Sequence, residues 1–308
     1  AITTRGAVSD SAAISVAGTT QITAQNGTTN YDIALDASGH DFVGAVSLTG
    51  QSSIVRDESA VNLGAVDLAQ DLTLYAQGAV NGTAQITVDG ATLISAGDNV
   101  VSLNNATNDF GSQVNIQLAK DITIVDASAL NFSGSSTGTS SDINLTAGGF
   151  LTLAHGTSAT GHMDLTANGV SFGQAVVGGN LTVGSTGAAI IQRQQSNGGV
   201  ATDSMIRITG TTNLTAASIT LDHVNAFGGA VALTSTGAIE LTTDGAIAFA
   251  ASTVGGDLTV STLEGMTQTG SISVAGASIL TTSYDADIIL SNAANDFTGL
   301  LDITYGRD

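Results

Sequence analysis

The chain has 308 residues with no proline, cysteine or tryptophan, and sets 26 acidic residues against six basic ones, for a formal net charge of −20 at pH 7. A single lysine, Lys120, and five arginines cannot neutralise a run of phosphates, which argues against nucleic acid or an anionic membrane surface as partner. Hydrophobic residues make up 42% and charged ones 10%, the balance of a chain that folds, and no apolar run reaches the length of about 18 residues needed for membrane insertion. Of the acids, 23 are Asp, a turn former, and only Glu58, Glu240 and Glu264 are the helix-friendly homologue, so helical surface chemistry is missing.

Read in chain order, one grammar recurs. The segment "AISVAGTTQITAQNGTTNYDIALDASGHDFVGAVSLTG" (13–50) opens with an apolar/polar alternation, turns at Gly18 and closes on Phe42. "AQITVDGATLISAGDNVVSLNNATNDFGSQVNIQL" (84–118) repeats the order with Gly90 and Phe110. "MIRITGTTNLTAASITLDHVNAFGGAVALTSTG" (205–237) does so with Gly210 and Phe227, and "SISVAGASILTTSYDADIILSNAANDFTGLLDITY" (271–305) with Gly276 and Phe297. The Phe-to-Phe intervals are 68, 117 and 70, so the middle unit carries extra material. A second phrase keeps the same register, "VVGGNLTVGSTGAAIIQ" (176–192) matching "TVGGDLTVSTLEGMTQT" (253–269).

A shorter beat runs inside the long one. Leu-Thr pairs begin at Leu48, Leu72, Leu145, Leu165, Leu181, Leu214, Leu233 and Leu258, each within an alternating run closed by Gly, Asn or Asp, at spacings that average about 20 residues. A repeat made only of short strands cannot bury its own apolar face, so it must stack on its neighbours. The expectation is an all-β, parallel β-solenoid of about 15 coils, continuous over residues 1–308, with units near 12–83, 84–204, 205–270 and 271–308. Absence of proline fits, because an interior solenoid strand is paired on both edges and each proline would remove a ladder hydrogen bond. A tandem of small sandwich domains is the second reading.

The "ISVAGTT" and "ITVDGAT" openings, the "VGGNLTV" and "VGGDLTV" phrases and the "NDFGSQVNI" and "NDFTGLLDI" endings resemble the repeat region of giant secreted bacterial adhesins of the filamentous haemagglutinin type. The likeness covers about 12–118 and 176–305 and is thinner over 119–175. It implies a right-handed parallel β-helix, export through an outer-membrane β-barrel transporter, an extracellular or cell-surface location, and attachment or biofilm roles. The implied partners are surface glycans or proteins, or copies of the chain itself. That family's secretion-signal domain is not recognisable at "AITTRGAVSD", which also lacks the basic and apolar regions of a signal peptide. With both ends falling inside a unit, the sequence reads as an internal fragment or as a subunit whose copies join head to tail.

Polysaccharide lyases and hydrolases use the same solenoid, so an enzyme is the alternative function, and it needs clustered carboxylates. The densest charge cluster, Arg56-Asp57-Glu58, reads as a solvated loop between coils; Asp285 and Asp287 read as an outward pair; Arg193 marks a polar loop in "IIQRQQSNGG". His40, His155, His162 and His223 are scattered and are expected in solvent-facing turns, with His40 and His223 standing in for Asn near the repeated Phe. No nucleophile elbow, phosphate loop or dinucleotide fingerprint occurs, so the expectation is no enzyme, no catalytic or metal residues and no cofactor. Seven Asn-x-Ser/Thr sequons are mostly explained by chance in a chain so rich in Asn and Thr. Thr-rich faces also suggest an ice-binding solenoid, but Leu-Thr spacings of 16 to 25 argue against a Thr array in strict register.

Overall fold

The computed structural model describes the backbone of residues 1–193, 195–197, 200–202 and 205–307. The chain is an all-β parallel β-solenoid of about 15 coils, with no helix among the described residues. It divides into two compact units, Ala1–Gly149 and Phe150–Asp308.

In the first unit each coil lays its short strands on those of the coil before, in parallel. Val61 stands over Val80, Val80 over Val101, Val101 over Ile122 and Ile122 over Ile143, a file of buried branched side chains. In the same sheet, Ile2, Ile22, Leu48, Val66 and Ile86 are in register, four of them fully buried. The alternation decides this: β-branched residues at every second position all reach the same side of a pleated strand and bury against the next coil. Their polar neighbours form outward files, Thr3, Thr23, Thr49, Asp67, Thr87, Asp109 and Asn62, Asn81, Ser102, Thr123, Asn144. Asn81 Nδ2 donates to Asn62 Oδ1 at 3.2 Å, the side-chain ladder that stacked Asn residues permit.

The second unit uses the same rule. Leu165, Val183, Leu214 and Leu233 are in register inside, and Ile219, Ile239 and Leu258 form the file on the facing sheet. The Leu of each Leu-Thr pair is the buried member and its Thr the more exposed one, as at Leu214-Thr215 and Leu233-Thr234.

Among the described residues, two antiparallel hairpins interrupt the parallel pattern. Thr20–Asn26 folds back on Thr29–Asn30 through Gly27, whose φ of 61° is the left-handed conformation a tight Asn-Gly turn requires. Gln195–Asn197 pairs with Val200–Thr202. Both are excursions between coils: Thr20 still stands over Val46 and Leu181 over Thr212. The inserted hairpins lengthen the two coils that carry them without changing their inward files. The polar loop expected at "IIQRQQSNGG" is the approach to the second hairpin; Gln194, Gly198 and Gly199 lie outside the described residues.

Candidate functional site

The repeated phrase builds one structural device. In each copy the opening strand and the strand ending in Phe are neighbours on adjacent coils: Val16 pairs with Phe42, Val88 with Phe110, Ile208 with Phe227 and Val274 with Phe297. Two residues before each Phe stands a side chain that accepts a hydrogen bond from the backbone at the start of the opening strand. Asn108 Oδ1 accepts from Ile86 N at 3.0 Å, Asn225 Oδ1 from Ile206 N at 2.9 Å, and Asn295 Oδ1 from Ile272 N at 2.9 Å. In the first copy an imidazole does the work: His40 Nδ1 accepts from Ile14 N at 2.9 Å.

The amides are used at both ends. Asn108 Nδ2 donates to Leu103 O, Asn225 Nδ2 to Leu221 O and Asn295 Nδ2 to Leu290 O. In the second unit Gln192 and Gln268 form reciprocal amide pairs with Asn225 and Asn295. His40 Nδ1 is an acceptor, so Nε2 carries the proton and donates to the Asp10 carboxylate. His40, Asn108 and Asn225 are all 0% exposed. The expectation of solvent-facing turns is therefore wrong for His40: a backbone N–H inside the stack must find an acceptor, and the side chain supplies it. It is also wrong for His223, which lies on Ile219–Phe227 with Nδ1 2.9 Å from Asp222, while Asn225 takes the clamp position. His155 and His162 are exposed, and His162 Nδ1 accepts from Asn180 N.

A buried carboxylate completes the device in the first unit. Asp57 Oδ2 accepts from Phe42 N at 2.9 Å and its Oδ1 from Ser59 N; Asp126 Oδ2 accepts from Phe110 N at 3.2 Å and its Oδ1 from Ser128 N. Arg56-Asp57-Glu58 is thus not a solvated loop. Ser53–Asp57 is a strand, Asp57 is buried, and the outward Arg56 guanidinium lies 4.9 Å from the Tyr75 ring centroid. Asp285 and Asp287 are exposed on their strand, as expected, and Arg193 is exposed. The clamp residues carried a signal in the sequence, their fixed place two residues before the repeated Phe; the Asp caps carried none so regular, standing 15 and 16 residues after it.

Burial raises the Asp126 pKa above its ordinary value, against the lowering effect of hydrogen bonds from Ser128 and Phe110; the Asp109 carboxylate adds to the rise. A folded-state pKa above the unfolded value adds stability that is complete below about pH 3.8 and is lost as pH climbs through the folded pKa. Relative to Asp126→Asn, wild type is therefore expected to gain stability on acidification from pH 7 to pH 4. Urea midpoints of both proteins at the two pH values test this, and a difference that is constant or moves the other way refutes it.

Among the described residues, no group of three or more His, Cys, Asp or Glu side chains is placed to hold a metal ion. The described residues of the second unit line open grooves, three of which differ in chemistry. One of 440 Å³ is rich in hydroxyls, among them Thr215, Thr234 and Thr253; one of 380 Å³ is mainly apolar, between Leu280, Leu290, Phe297 and Ile303; the third, 330 Å³, surrounds Arg207.

A repeat family described as repeats of unknown function, DUF5649, matches residues 1–49, 50–117, 160–234 and 236–304. The chain belongs to that family. Each DUF5649 repeat ends just beyond a clamp coil, and residues 118–159, unmatched, fall where the long Phe-to-Phe interval placed extra material. No curated protein and no solved structure matches the chain.

Proposed function

We propose that these DUF5649 repeats form the structural and adhesive body of a secreted or cell-surface bacterial filament, acting in attachment or matrix formation. The supporting observation is where the chemistry-bearing side chains go. His40, Asn108, Asn225, Asp57 and Asp126 are all buried and engaged in holding backbone from neighbouring coils. Outward lie files of Thr, Asn, Ser and Asp at strand spacing, suited to many weak contacts made at once. On this reading the partners are surface glycans or proteins, or further copies of the chain, and an outer-membrane β-barrel carries the polypeptide out.

The test is multivalent. Beads densely coated with the full chain are expected to be retained under flow on bacterial or host-cell surfaces, while the free chain competes only weakly. Retention no better than that of beads carrying an unrelated protein of equal charge would overturn the proposal. Release of reducing ends from a polysaccharide by the purified chain would instead favour a carbohydrate-active enzyme.

A further inference from the structure

The register of the four copies exposes one departure. The residue before the clamp Phe is Asp41, Asp109 or Asp296 in three copies, and its partner on the opening strand is Ser15, Thr87 or Ser273. In the third copy Ala226 faces Arg207. An acid facing a hydroxyl has become a cation facing a methyl, so the local charge is reversed on an outward face of a chain that carries only six basic residues.

Among the described residues nothing uses that charge. Arg207 is exposed, its one hydrogen bond is a contact of Nη2 with Met205 Sδ at 3.4 Å, and no ion pair joins it to a carboxylate among the described residues. The side chain borders the 330 Å³ groove, with Thr209 and Asp244 as its other polar walls and Phe227, Ala226 and Ala246 as apolar ones. Phe227 is 8% exposed, the only clamp Phe of the first three copies above 1%.

We propose that this groove binds one carboxylate-bearing sugar unit. A guanidinium pairs with a carboxylate through two parallel N–H···O bonds, and among the described residues no carboxylate is paired with Arg207. Asp244 argues against a plain anion, which it would repel, and for a ligand that also brings hydroxyl donors; Thr209 adds a second hydroxyl partner. The apolar walls accept the C–H face of a pyranose ring. The volume lies at the small end of ligand clefts, about 300 to 1,000 Å³, which suits one sugar rather than an extended chain. The inference rests on the adhesive reading only in naming glycan as the partner class; the groove's chemistry stands without it.

The test titrates the full chain, by calorimetry or ligand-observed NMR, with methyl glucuronoside, methyl glucoside and acetate. The glucuronoside is expected to bind about tenfold more tightly than either of the others. The double variant Arg207→Ser/Ala226→Asp restores the pairing present in the other three copies, so it is expected to fold, as circular dichroism checks, and to bind the glucuronoside no better than the glucoside. Equal affinity for the three probes, or binding unchanged by the double substitution, overturns the site. Beads coated with the double variant separate the two ideas: undiminished retention on cells together with unchanged sugar binding removes the groove and leaves the adhesive reading standing. If wild-type beads are not retained while the sugar preference holds, the adhesive reading falls alone.

Discussion

Asn108→Ala is expected to lower the stability of the first unit by about 4 kcal/mol, because it orphans two buried backbone groups at once. Ile86 N–H loses its acceptor at 3.0 Å and Leu103 C=O its donor at 3.0 Å. The site is wholly buried, so water cannot replace either partner without opening the stack. Each such orphan costs about 1–3 kcal/mol, and the truncated side chain leaves a void besides. The control is Asn81→Ala, whose side chain belongs to an outward ladder and is half-exposed; there the loss is expected below about 1 kcal/mol. Urea unfolding of the full chain followed by far-UV circular dichroism checks both. Similar midpoints for the two variants would show that the clamp does not hold the coils.

Gly44→Ala is expected to cost about 3 kcal/mol, while Gly18→Ala, in the turn directly stacked on it, is expected to be neutral or slightly stabilising. The asymmetry is geometric. A methyl on Gly44 would sit 2.8 Å from Thr19 N and closer still to the Gly18 carbonyl, all of it backbone that must shift; a methyl on Gly18 meets nothing within 4 Å. The same close approach recurs where Gly229 and Gly299 stack on Gly210 and Gly276, so the repeated turn glycines serve coil-to-coil approach rather than a left-handed backbone. Thermal unfolding of both single variants reads the difference, and equal losses would refute it.

Much of this architecture was legible before any coordinates. Alternating runs such as "INLTA" and "DLTLYA" name their own inward residues, and coils that repeat must place like side chains over like. Hence a file such as Val61 to Ile143 followed from pattern, whereas the pairing of each opening strand with its Phe emerged only from the structure.

The meaning of the polar letters in the phrase was not. Asn108 and His40 looked like turn residues, and Asp57 like part of a solvated charge cluster, because composition assigns polar side chains to the surface. By itself the sequence determined a parallel stack of short strands, since hydrophobic periodicity is local and each residue carries its own contribution to it. Only the tertiary structure decided which polar side chains turn inward, and that Arg207 alone takes the place of a hydroxyl beside a groove. An inward amide is stable only where a particular backbone N–H, about one coil away, lacks a partner, and that vacancy exists only once the coils are stacked.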